Sequence, residues 1–180
     1  MNSIDLLDIK LYFTFPKGQL VKLSSGEVGY RYDIVYHIFS IPLLLWRGEI
    51  PGYKGKGHVG LYNGDTIQIS VQNLKNSPLT VAAVIWHELA HVWQYASVEA
   101  CLPEWYNHSD NTIQDELYCK WKEEFSYYYA ADSALEAAAE VFRFLAGFPS
   151  KEGEKWESNE SLLKDYKEFF DNQLFFKEFV

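Results

Sequence analysis

The sequence predicts an α+β domain, mostly helical, with a small β-hairpin just ahead of one buried helix. Three stretches carry this expectation. Val81–Tyr95 (VAAVIWHELAHVWQY) is a run of helix formers with apolar residues at Val81, Val84, Ile85, Leu89 and Val92, close to the 3.6-residue helical repeat. Ala131–Leu145 is a second, alanine-rich helix stopped by Gly147 and Pro149. Upstream of both, His58–Tyr62 and Thr66–Val71 flank Asn63-Gly64-Asp65, with Val59 and Leu61 alternating on one side and Ile67 and Ile69 on the other. That is the pattern of an Asn-Gly hairpin.

The remaining elements follow in chain order. Residues 4–15 begin with helical spacing and end in aromatic, strand-favouring residues before Pro16, so helix and strand both stay open there. Tyr32, Val35, Tyr36 and Phe39 stand at i, i+3, i+4 and i+7, which favours a helix over Tyr30–Phe39 with His37 at its polar edge. Pro42 and Pro51 punctuate the next stretch. Ile50–Gly57 is a glycine-rich connection without the G-x-x-x-x-G-K-[ST] spacing of a phosphate-binding loop. Thr80, just after Pro78, is the expected N-cap of the Val81 helix. Ala96–Asp110 reads as a loop carrying His108. Ile113–Phe125 has helical apolar spacing at Leu117, Trp121 and Phe125, and Lys151–Glu160 reads as a charged linker. Ser161–Phe176 closes the chain as an amphipathic helix with Leu162, Leu163, Tyr166, Phe169 and Phe170 facing inward.

Composition narrows the class. The chain has 180 residues, 48% of them hydrophobic and 17% aromatic, enough for one domain over residues 1–180 with a core built on large rings. Its net charge of −9 argues against nucleic acid and against an anionic membrane surface, both of which are bound through Lys and Arg. Cys101 and Cys119 are too few for a disulfide framework and are expected as thiols. Met1–Lys10 lacks a basic segment followed by an apolar core, and no apolar stretch reaches some 18 residues. A cytoplasmic protein is therefore expected, although a delivered toxin or effector domain would read the same way.

The chemistry concentrates in His87-Glu88-Leu89-Ala90-His91. Helical residues four apart share a face, so His87 and His91 point at one ion, and Glu88 is rotated off that axis by about a quarter-turn. Two imidazoles, an open coordination position and a carboxylate able to take a proton from water are what a zinc hydrolase needs. Unpaired imidazoles and a carboxylate in the middle of an apolar helix would be costly, so they call for a partner. Catalytic zinc takes a third protein ligand. Glu136 and Glu140 lie four apart among Ala, Val, Leu and Phe. One of them is placed to reach the metal and the other to orient a ligand histidine; His108 is the alternative third ligand.

With that second helix the sequence resembles the lethal-factor-like zinc metallopeptidases, the group of the anthrax lethal factor catalytic domain and the Pro-Pro endopeptidases. The shared pattern is H-E-x-x-H followed by Tyr129-x6-Glu136-x3-Glu140-x-Phe142, with the AE-x-F-R run at Ala139–Arg143. It covers about residues 80–145 and does not extend to substrate-docking domains, so it implies no particular substrate. The resemblance implies a zincin-like domain with one zinc on His87, His91 and Glu136. It implies Glu88 as general base, Tyr129 as oxyanion stabiliser and Glu140 as the second acid. The expected activity is endopeptidase cleavage of a peptide or protein substrate. In many zinc peptidases a sheet-edge strand ahead of the active helix takes up substrate as an added strand, and Thr66–Val71 is the candidate here. The competing expectation is a peptide-binding or regulatory protein whose zinc is structural or relict.

Overall fold

The computed structural model describes residues 12–36, 39–77, 79–95, 111–125, 129–150 and 153–172. Strands β1 (Tyr12–Lys22), β2 (Val28–Tyr36), β3 (Phe39–Trp46), β4 (Gly60–Tyr62) and β5 (Ile67–Ser70) form one sheet in the order β1-β2-β3-β5-β4. All neighbours run antiparallel except β3 and β5, which pair in parallel from Leu43 opposite Ile67 to Trp46 opposite Ser70. The helices are α1 (Val71–Leu74), α2 (Val81–Tyr95), α3 (Asn111–Phe125), α4 (Ala134–Leu145) and α5 (Glu160–Asn172). The architecture is α+β, with a larger sheet than a single hairpin. Among the described residues no helix is long and apolar enough to cross a membrane.

The helix expected over Tyr30–Phe39 is instead the end of β2 and the start of β3. Its residues satisfy a period of two as well as one of 3.6, and β-branched and aromatic side chains lose rotamer freedom in a helix. Flanking strands decide the matter, because β2 finds backbone partners in both β1 and β3. His37 lies outside the described residues. The open N-terminal segment is extended from Tyr12 onward, and the ladder register shifts between Thr14 and Gln19. Pro16 falls in that irregularity, where no ladder N–H is required. Pro42 sits within β3 one position before its pairing with β5 begins at Leu43, so its missing donor breaks no bond on that side.

The Asn-Gly hairpin forms as β4 and β5. Asn63 Oδ1 accepts from the Thr66 amide at 3.0 Å, and Gly64 takes the positive φ of 102° that its turn demands. One expectation about it fails. Ile67–Ser70 lies between β3 and β4, so Thr66–Val71 is not a sheet edge; that place belongs to β4. Parallel pairing with β3 was not readable from a local pattern.

The helices cap as their sequences dictate. Thr80 Oγ1 accepts from the Ala83 amide at 3.1 Å, and Ser133 Oγ from the Glu136 amide at 3.2 Å. Gly147, with φ of 90°, follows the end of α4. Helix α2 lies against β4, β5 and α4. The fully buried Ala137 and Ala138 add no bulk at their positions on α4. The core joins Ile67 and Ile69 of the sheet to Ile85 and Leu89 of α2, Phe142 of α4, and Tyr166 and Phe170 of α5. Leu162, Tyr166, Phe169 and Phe170 are buried as expected, while Leu163 is half-buried. The supposed linker is a correction. Lys155–Ser158 is a 3-10 turn, Trp156 is fully buried, and Glu157 is buried too. Its many charges hid an aromatic anchor and an acid that has a cationic partner inside the fold.

Candidate metal centre

Helix α2 and helix α4 meet with four side chains between them. His87 Nε2 stands 3.1 Å from His91 Nε2 and 3.1 Å from Glu136 Oε2. His91 Nε2 is 3.4 Å from the same carboxylate oxygen. Three donor atoms thus form a nearly equilateral triangle. Tetrahedral zinc with bonds of about 2.0–2.1 Å spaces its ligand atoms about 3.3–3.4 Å apart, so the triangle already has the size of one face of such a site. Among the described residues these three make the one cluster able to hold a metal ion.

The surroundings fix which atoms of the imidazoles carry hydrogen. His87 Nδ1 lies 2.6 Å from Glu140 Oε1, an ion-pair distance that favours a proton on that nitrogen although the contact lies off the line of a regular hydrogen bond. His91 Nδ1 lies 2.7 Å from Gln94 Oε1. Gln94 turns its amide nitrogen to the Leu135 carbonyl at 3.1 Å and to Gln114 Oε1 at 3.3 Å, which leaves its oxygen facing His91 as an acceptor. Both neutral rings therefore present the bare Nε2 to each other and to Glu136. Three lone pairs within 3.4 Å of one another repel unless a cation sits among them. The donor set and its polarity fit Zn²⁺.

Without a metal a proton does this work. Burial opposes charging His87, but hydrogen bonds to Glu136 and Glu140 and the charges of Glu140 and Glu88 outweigh it, and its pKa is pushed up to about 10. Burial likewise opposes ionising Glu136 and Glu140. The histidines beside Glu136, and His87 and Arg143 beside Glu140, hold both well below the usual carboxylate range. A metal ion bound there would have to displace that proton. Apparent zinc affinity is therefore expected to keep rising by up to about tenfold per pH unit between pH 7 and 8.5. Titrations against a competing chelator would measure it. An affinity already flat above pH 7, as an ordinary imidazole would give, would contradict the tightly held proton.

Glu88 faces the edge strand. Its buried carboxylate accepts from the Tyr62 backbone amide, and Gly60 passes so close that a Cβ there would stand 2.4 Å from Glu88 Oε1 and 2.5 Å from Val84 Cγ1. Burial pushes the Glu88 carboxyl up, against the pull of His87 and His91. Tyr129 opens a 3-10 turn (Tyr129–Ala131) ahead of α4 and holds its ring 6.0 Å from that of His87. It is half-exposed. Burial and the carboxylates of Glu136 and Glu88 push its phenol up, so it remains a hydrogen-bond donor at neutral pH. A cleft of about 570 Å³ opens over all of these groups, walled by β4 and by Leu79, Glu140 and Glu154. Burial and the charge of Glu140 push Glu154 up to about 7.

Behind the cluster lies a buried ion network. Arg143 is fully buried and bonds Glu140 Oε2 through Nε at 3.2 Å and Nη2 at 2.8 Å, with Nη2 also 3.1 Å from Glu157 Oε1. It donates to the Phe148 carbonyl as well. The sequence-expected residues His87, Glu88, His91, Tyr129, Glu136 and Glu140 all line this one cleft. His108 and Cys101 lie outside the described residues, and Cys119 is a free, exposed thiol. Gln94, Gly60 and Glu157 were not singled out from the sequence, and Arg143 was noted only as the end of the AE-x-F-R run. For Gln94 a signal existed, because it stands three residues after His91 on the same helix. No family model matches the chain, nor does any curated protein or solved structure.

Proposed function

We propose that this chain is a zinc-dependent endopeptidase of zincin-like design. The observation that carries the reading is the triangle of His87 Nε2, His91 Nε2 and Glu136 Oε2 at the floor of an open cleft, with a buried carboxylate and a phenol beside it. A closed structural site would need a fourth protein ligand, and the cluster among the described residues has three. Zinc held there would polarise the scissile carbonyl and acidify a water molecule.

The chain's own groups supply the rest. Glu88, buried and with its pKa raised, takes the attacking water's proton and passes it to the leaving nitrogen. The Tyr62 amide and the close pass of Gly60 hold that carboxylate against the edge strand. Tyr129 donates to the oxygen on which negative charge develops, a contact of the kind that is worth about 3 kcal/mol. Glu140 and Gln94 hold the two imidazoles with Nε2 bare.

Metal analysis and cleavage of a diverse peptide library test the proposal together. Wild type should bind one zinc per chain and yield products. Glu136→Ala should lose zinc affinity by more than about 100-fold, since removing even a group that only supports a ligand costs 10–100-fold. Wild-type protein that binds no zinc, or binds it and cleaves nothing, would end the proposal. Gly60→Ala tests the edge strand. The added methyl must displace Glu88 or the strand, and should cost about 1–3 kcal/mol in thermal unfolding and at least about tenfold in kcat. A kcat equal to wild type would show that Glu88 does not need its observed place.

A further inference from the structure

We propose that the mouth of the cleft beside Lys56 is a subsite for a carboxylate of the substrate, so that the enzyme prefers peptides with an acidic group a few residues from the scissile bond. The inference rests on the endopeptidase reading. Among the described residues lining the cleft, Lys56 is the one Lys or Arg, whereas Glu88, Glu136, Glu140 and Glu154 line the rest. In a chain of net charge −9 an unneutralised cation at such a place is conspicuous. The neighbouring charges are already engaged elsewhere. Lys54 pairs with Glu27 at 2.6 Å, and both oxygens of Glu49 accept from the Gly55 amide at 3.1 Å. Among the described residues no carboxylate lies within 4 Å of Lys56, whose ammonium instead rests 5.2 Å from the Tyr53 ring centroid.

The loop that carries Lys56 is built rather than slack. The Tyr53 amide bonds the Ile50 carbonyl at 3.0 Å and the Lys56 amide bonds the Tyr53 carbonyl at 3.2 Å. Tyr53 also packs edge-on against His58 at 5.3 Å, and Asn73 Nδ2 holds the His58 carbonyl at 2.9 Å. Lys56 stands four positions before Gly60, where an added Cβ would meet Glu88. At most about 3.3–3.6 Å per residue places the Lys56 backbone within about 14 Å of that contact, the span of roughly four residues of extended peptide. A carboxylate within that span can reach the Lys56 ammonium, whereas the acidic groups lining the cleft, Glu88, Glu136, Glu140 and Glu154, repel it.

The test uses zinc-loaded full-length protein and a peptide series, built on a sequence the wild type cleaves, that carries Glu, Gln or Lys at each position up to four from the scissile bond. At one position Glu should be cleaved about fivefold better than Lys, the size of an exposed charge pair, and the preference should shrink as salt is raised. Lys56→Glu should reverse that ratio. Matched peptides with a free or amidated C-terminus distinguish an acidic side chain from a terminal carboxylate as the group recognised. Cleavage with no position favouring Glu, or a Glu preference that survives Lys56→Glu, would overturn the subsite and leave the peptidase reading standing. Absence of any cleavage by the zinc-loaded wild type would overturn both.

Discussion

Glu88→Gln is expected to leave zinc bound and to lower peptide turnover by about 10²–10⁴-fold, the usual contribution of a positioned general base. Gln keeps the size of Glu, so the close pass of Gly60 and the bond from the Tyr62 amide both survive the change. What disappears is the ability to hold a proton between water and leaving nitrogen. Stability should move the other way. The folded-state pKa of Glu88 is raised chiefly by burial, so above its unfolded value the ionised group costs stability, and a neutral amide removes that cost. A variant that is inactive, zinc-replete and at least as stable as wild type is the expected result, measured by peptide cleavage, metal analysis and thermal unfolding at pH 7. Turnover within a few-fold of wild type would remove Glu88 from the mechanism, and loss of zinc would mean that it holds the metal.

The helical half of this site was legible because helix geometry is local. Four residues of spacing place His87 over His91 and Glu136 over Glu140 in any straight helix. The sheet was far less legible. Whether Tyr30–Phe39 forms strand or helix depends on β1 and β3 as neighbours, and the internal place of β5 depends on a parallel partner more than twenty residues upstream. The same non-locality hid Gly60. Its glycine is required by Glu88, twenty-eight residues later, and nothing around it in sequence announces that contact. Gln94 shows an intermediate case, since its helical position was readable but its orientation depends on the Leu135 carbonyl of α4.

Arg143→Met carries the largest expected loss of stability, about 3–5 kcal/mol, because it strands two buried carboxylates without their cation. Glu140 and Glu157 are both buried, and Glu157 also holds the Ser150 and Glu154 amides at 2.8 Å and 3.2 Å. Arg143 thus ties the segment after α4 to the acid that orients His87. At about 2–4 °C per kcal/mol for a chain of this size, the melting temperature should fall by roughly 6–20 °C. Zinc affinity should fall by about 10–100-fold as Glu140 loses its anchor. The pH dependence has a definite sign. Arg143 helps to hold the Glu140 pKa low against burial, so Glu140 contributes stability above its unfolded pKa and loses it as pH falls through the depressed folded value. Without Arg143 that depression is smaller, and acid unfolding should begin at higher pH. Adding Glu157→Gln to Arg143→Met should recover part of the melting temperature by neutralising one stranded charge, whereas simple loss of packing would leave the double variant no better than the single. A melting temperature and zinc affinity both unchanged in Arg143→Met would show that the buried network supports neither fold nor site. The network matters to both because one guanidinium joins the acid on His87 to the chain segment that closes the core behind it.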